Sequence, residues 1–250
     1  MEHFKVLEFD LPTALLKELV ALFAQMKSAP LSHAHAAALP DGQGVYQLYY
    51  RQKLVYVGKT DNEAGLRNRI LRHCEKVSSR LGLLPQDVSF KAIRIYVFTA
   101  MDLETSLINH YKKLQEGLAW NHSGFGSNDP GRKRDHSTLK DNHFDALYPI
   151  DLNLKTKIDP LRGNNVASVL TQLKESLPYT IRFQAASKGS KKPHQHLVDT
   201  PIEIPEDLST VRSILTRVSQ ALGKEWQVTA LPGYVIIYNE SRDYEHGSIL

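Results

Sequence analysis

The chain has 250 residues, 42% hydrophobic and 23% charged, an ordinary balance for a soluble folded protein long enough for one large domain or two small ones. No apolar run approaches 18 residues, the N-terminal MEHFKVLEFD is acidic and lacks a long apolar stretch, and Cys74 is the single cysteine. A membrane span, a signal peptide and a disulfide scaffold are therefore not expected, and a reducing cytoplasm is the simplest setting.

Charge is unevenly placed: residues 44–140 hold 16 Lys and Arg against 9 Asp and Glu, net +7, while the rest of the chain is −3. A phosphate-binding face gives this pattern, and so does a lysine-rich solvated surface.

In chain order, residues 4–11 read as a short strand or extended arm, and Pro12 opens an amphipathic helix to about Lys27. SHAHAAALPDGQG is a linker or short helix. GVYQLYYRQKLVYVGKT, Gly44 to Thr60, is a hairpin. A loop at Arg51–Lys53 would set Tyr46 opposite Gly58, Leu48 opposite Tyr56 and Tyr50 opposite Leu54. A helix over about 65–81 follows, with Leu66, Ile70, Cys74, Val77 and Leu81 on one stripe. FKAIRIYVF is a strand, and a helix from Thr99 to about Glu116 turns Leu103, Leu107, Tyr111 and Leu114 inward. WNHSGFGSNDPGRKRD is a loop by composition, and FDALYPIDLNL looks extended. Beyond Pro160 the pattern is helix (166–176), strand (179–185), basic loop SKGSKKPHQH, helix (208–222) and two strands (226–231, 234–239) about the turn pair Pro232-Gly233.

The middle third carries the candidate chemistry. On the hairpin, Tyr46 and Tyr56 are diagonal neighbours on one face, and Gly58 leaves room beside Tyr46. That is a plausible ligand slot, although two core aromatics would give the same pattern. Arg69 and His73 stand four apart on the next helix and share its face; Arg67 and Arg72 nearby fit plain solvated charge. Thr99 and Asp102 look like a capping box, which puts Glu104 early in its helix, where the dipole favours an ionised carboxylate. The H-x-H pairs His33/His35 and His194/His196 each lack a third ligand, so a metal is not expected there.

Together these features resemble a known family. GVY, nine residues, YVG, then LRNRILRHC, a helical glutamate and WN stand in the order of the GIY-YIG nuclease superfamily, with Val45 and Val57 in place of isoleucines. The likeness covers about Gly44 to His122. It is closest to the GIY-YIG type II restriction endonucleases that cut GC-rich palindromes, through the Arg69/His73 pair and the segments GFGSNDPGRKRD and HFDALYPIDL.

The resemblance implies an α+β (α/β) fold, a small mixed or antiparallel central sheet flanked by helices, for a nuclease core (44–150); the pattern along the chain adds an N-terminal arm (1–43) and a C-terminal α+β extension (151–250) that is longer than the group leads one to expect. The resemblance implies Tyr46 as general base or positioner of the attacking water, and Tyr56 as a hydrogen-bond donor to the scissile phosphate or to Tyr46. Arg69 would neutralise the phosphate in the transition state, and His73 would assist deprotonation of Tyr46. Glu104 would be the one protein ligand of a single Mg²⁺ (Mn²⁺ able to substitute), and Asn121 would hold the site in register. A free phenol titrates near pH ~10, so a tyrosine base needs nearby cations, expected from Arg69, the metal and Lys59. Lys59, Arg132, Lys133 and Arg134 are the expected DNA contacts. The implied partners are double-stranded DNA, a second copy of the chain and a cognate DNA methyltransferase. A GIY-YIG repair or homing-type nuclease, and a catalytically silent DNA-binding protein on the same fold, are the alternatives.

Overall fold

Asp10 caps the first helix by accepting from Thr13 N at 3.1 Å, and Pro12 occupies the first turn, where its missing N–H costs nothing. From these cues α1 runs Leu11–Gln25. The computed structural model describes the chain apart from residues 1, 2, 9, 61, 62, 97–102, 115–117, 127, 128, 130, 206 and 208. The described residues form an α+β protein with two small sheets. No helix among them is long and apolar enough to cross a membrane. The chain divides into two compact units, Met1–Cys74 with Leu84–His122, and Glu75–Leu83 with Ser123–Leu250.

In the first unit, β1 (Ala29–Pro30) and α2 (His33–Ala37, capped by Ser32) precede the hairpin β2 (Gly44–Tyr50) and β3 (Lys53–Thr60). Then come α3 (Leu66–Ser78), whose last residues fall in the second unit, β4 (Val88–Arg94) and α4 (Leu103–Leu114). The sheet is antiparallel, ordered β1-β4-β2-β3, so β2 is central and β3 an edge.

The hairpin departs from the expected register near its loop. The turn is only Arg51 and Gln52, both left-handed (φ 47° and 67°), the backbone of a two-residue turn that matches strand twist. Tyr50 therefore pairs with Lys53 and Tyr49 with Leu54, until a bulge at Val55 restores the expected Leu48–Tyr56 and Tyr46–Gly58 pairs. The bulge moves Leu54 to the Tyr49 face, where it joins Val45, Val57, Leu19 and Phe23 of α1 and Leu103 and Leu107 of α4 in one core. Gly44 is required by close approach: a Cβ there would overlap Ile93 O and lie 2.7 Å from Leu66 Cδ1.

Several element ends differ from expectation. α3 stops at Ser78, leaving Leu81 47% exposed, and Leu114 at the end of α4 is 67% exposed. Thr99 and Asp102, the expected capping pair, lie outside the described residues. Residues 144–147 form a short helix, α5 (Phe144–Leu147), because His143 Nδ1 accepts from Asp145 N at 3.2 Å and starts a turn where an extended chain was expected.

The second unit adds α6 (Val166–Ser176), β5 (Thr180–Phe183), α7 (Gln195–Asp199), α8 (Val211–Leu222), β6 (Gln227–Ala230), β7 (Tyr234–Tyr238) and β8 (Ser248–Ile249). Its sheet is mixed, ordered β5-β7-β6-β8, with β5 parallel to β7. One face buries Val228, Val235 and Ile237 against Leu170 of α6 and Leu215 of α8.

Residues 123–150, expected with the nuclease core, belong to this unit. Ile150 N donates to Pro232 O at 2.9 Å, and Arg80, buried on α3's C-terminal side, pairs with Asp145 at 2.7 Å and with Tyr148 O at 3.1 Å. Such a buried cation is tolerable only because a carboxylate and carbonyls meet it.

Candidate active site

The six expected catalytic residues and Lys59 all fall in the first unit. Tyr46 projects from central β2 and is 0% exposed. Its hydroxyl lies 2.9 Å from His73 Nε2 and accepts from Arg69 Nε at 3.3 Å. Arg69 and His73 meet one oxygen because four residues on α3 advance about one turn. Tyr56 stands beside both, its ring centroid 6.0 Å from Tyr46 and 5.8 Å from His73.

The space expected beside Gly58 is filled by the tyrosine itself. A Cβ at position 58 would overlap Tyr46 Oη and Cζ and lie 2.8 Å from Tyr56 Cε1. The glycine thus lets the Tyr46 phenol lie across the neighbouring strand towards α3, and opens no empty slot.

Electrostatics couple the group. Burial pushes the Tyr46 phenol well above its ordinary range, Tyr56 adds to that shift, and the Arg69 charge and hydrogen bond oppose it. Tyr56 is raised by burial and then by Glu104, with Arg69 again opposing. Burial alone would lower Arg69, but Tyr46, Tyr56 and Glu104 outweigh it and hold the guanidinium firmly charged. Glu104, half-buried in the first turn of α4, therefore acts on all three groups.

Asn121 clamps the edge strand. Its Oδ1 accepts from Val57 N and its Nδ2 donates to Val57 O, both at 2.9 Å, which closes the peptide next to Gly58 like a further strand. Trp120 N continues this with Val55 O at 2.9 Å. Two hydrogen bonds at about 0.5–1.5 kcal/mol each predict that Asn121→Ala loses about 1–3 kcal/mol of stability, read as a lower urea midpoint at unchanged slope.

The remaining candidates lie elsewhere. Lys59 follows Gly58 and pairs with Val45, so alternation sends its side chain to the face away from Tyr46. The cation that reaches the phenol is Arg69. Arg132, Lys133 and Arg134 belong to the second unit, and Arg132 pairs with Glu240 at 3.2 Å. His35 is tied to Ser32 Oγ at 2.8 Å, and His194 and His196 pack on Trp226. Among the described residues no group of three or more His, Cys, Asp and Glu side chains could hold a metal. Arg67, read as solvated charge, pairs with Asp41 at 2.9 Å.

Residues 42–118 match the family model described as the GIY-YIG catalytic domain. This stretch is a GIY-YIG nuclease domain. It covers under a third of the chain and contains Tyr46, Tyr56, Arg69, His73 and Glu104, with Asn121 just beyond its end. No curated protein matches the sequence. In the GIY-YIG domain strand parity puts the two name tyrosines on one face, and the α3 basic pair converges on the first of them. Sequence reading missed Gln47, 0% exposed on the other face of β2, where it accepts from Tyr49 Oη at 2.5 Å. A lone polar residue inside GVYQLYY was the available signal.

Proposed function

We propose that the protein is a type II restriction endonuclease that hydrolyses double-stranded DNA at a GC-rich palindrome with Mg²⁺. The observation that carries this is one phenol oxygen held between Arg69 Nε and His73 Nε2 in a buried face. Arg69 can only donate, so the phenol oxygen accepts from it; with His73 Nε2 in its unprotonated tautomer the phenol donates its own proton to that nitrogen. Water attacks the phosphorus as Tyr46 takes a water proton and passes its phenolic proton to His73. The P–O3′ bond breaks and the departing 3′ oxygen takes a proton from solvent, leaving a 5′-phosphate and a 3′-hydroxyl. Arg69 faces the charge that accumulates on the phosphate oxygens, where a fixed cation lowers the barrier most. Tyr56 orients the phosphate.

Glu104 is the residue that would hold the metal. One half-buried carboxylate suits Mg²⁺, which keeps several waters and accepts phosphate oxygens as ligands. The ion would supply Lewis-acid stabilisation of the leaving oxygen. Metal retention is therefore expected to depend on DNA.

Cutting both strands of a palindrome with one site per chain calls for two copies about a two-fold axis, hence a homodimer. A methyltransferase would protect host DNA, and the cytoplasm is the setting. Plasmid DNA incubated with Mg²⁺ should give discrete fragments with the wild type and remain intact with Glu104→Ala. Random nicking would point to a repair or homing-type nuclease. Binding without cutting would point to a catalytically silent relative.

A further inference from the structure

The second unit carries an exposed basic turn on a buried foundation. Gly131, left-handed at φ 77°, leads into a 3₁₀ turn over Arg132–Arg134, closed by Arg134 N to Gly131 O at 3.1 Å. The turn ends in Asp135, whose side chain is wholly buried. Asp135 accepts from Arg182 Nη1 at 2.6 Å, from Tyr234 Oη at 2.8 Å and from Tyr238 Oη at 3.2 Å. On the other side of the turn, Asp129 takes Nε and Nη2 of the same Arg182. One guanidinium on β5 thus fastens the segment at both ends. Three donors are what a fully buried carboxylate needs to offset its lost hydration.

The three cations of the turn have separate fates. Arg132 folds back, paired with Glu240 and lying 4.2 Å above the Tyr238 ring, so it braces the turn. Lys133 and Arg134 are exposed and carry no ion pair among the described residues.

We propose that the Gly131–Arg134 turn is a preformed grip for the phosphate backbone of duplex DNA, with Lys133 and Arg134 as its contacts and Arg132, Asp135 and Arg182 as its supports. The choice of DNA rests on the nuclease reading. A turn fixed by buried Asp135 and by the Asp129–Arg182 pair presents its cations from a backbone that is already ordered, which lowers the ordering cost at the moment of binding. Phosphate contacts of this kind carry no sequence information but set register on the duplex.

The test is the salt dependence of binding by the full chain to a 30-base-pair duplex in EDTA, which prevents cleavage. Lys133→Gln with Arg134→Gln should lower the slope of log K against log salt by about 2, at ~0.9 per phosphate contact, and weaken binding at least tenfold. The equally charged control Lys155→Gln with Lys157→Gln, both exposed in the same unit, should leave the slope within error. An unchanged slope in the first pair, or the same loss in both pairs, overturns the proposal, as does a loss confined to duplex RNA. Wild-type binding with the expected slope, but no cleavage once Mg²⁺ replaces the EDTA, would count against the nuclease reading alone.

Discussion

Gly58→Ala should reduce cleavage about a hundredfold while leaving DNA affinity near the wild-type value. The added methyl would overlap Tyr46 Oη and Cζ and approach Tyr56 Cε1 to 2.8 Å. None of these atoms is the free end of a flexible chain. Tyr46 is 0% exposed and its oxygen is tied to both His73 and Arg69. The backbone cannot yield easily either, because Asn121 fixes the adjacent Val57 peptide from the edge. The phenol must therefore move, and a shift of about 1 Å in a positioned catalytic group typically costs ~10²-fold in rate.

Overpacking a close-packed face adds about 1–3 kcal/mol of destabilisation. Single-turnover rates at saturating enzyme separate the two effects, since a folded but misaligned variant binds normally and cuts slowly. A wild-type single-turnover rate for Gly58→Ala would mean that the phenol's position is irrelevant to chemistry. It would remove the main support for Tyr46 as the reacting group.

The placement of the candidate residues was legible in the sequence because period-2 and period-3.6 rules act locally. Parity placed Tyr46 and Tyr56 on one face, and an i,i+4 step placed Arg69 and His73 on another. The pairing of Tyr46 with Gly58 survived because the bulge at Val55 cancels the error made at the turn. That error arose because Arg51 and Gln52 adopt left-handed conformations usually signalled by Asn-Gly, so no residue announced a two-residue turn. Gly58 was misread as a vacancy, since sequence alone does not tell whether a neighbouring ring turns into the gap. The unit boundary was illegible for another reason. Arg80 and Asp145 are 65 residues apart, and nothing local in either segment announces their buried pair. Asp135 likewise reads as one more charge after a basic run, and only the tyrosines of β7 reveal it as an anchor.

Tyr46→Phe should lower the maximal cleavage rate by about 10²–10⁴-fold, the usual contribution of a positioned acid–base group. The ring is retained, so packing against Gly58 and Tyr56 is kept and the loss falls on the hydroxyl alone. His73 Nε2 and Arg69 Nε each lose a partner, and a buried group left unsatisfied costs about 1–3 kcal/mol. The melting temperature should therefore fall modestly and DNA affinity should hold.

The pH profile carries the decisive sign. Burial favours the neutral phenol and pushes its titration upward, while Arg69 pulls the other way. A base must lose its proton to work, so the wild-type rate should climb with pH through the neutral range rather than fall. In Tyr46→Phe the residual rate should lose that slope. His73→Ala, which removes the acceptor but leaves the phenol, should keep a rising profile displaced to higher pH. If Tyr46→Phe retained both the rate and the slope, another group would have to accept the water's proton, and the role assigned to the first tyrosine of the GIY-YIG domain would pass to positioning alone.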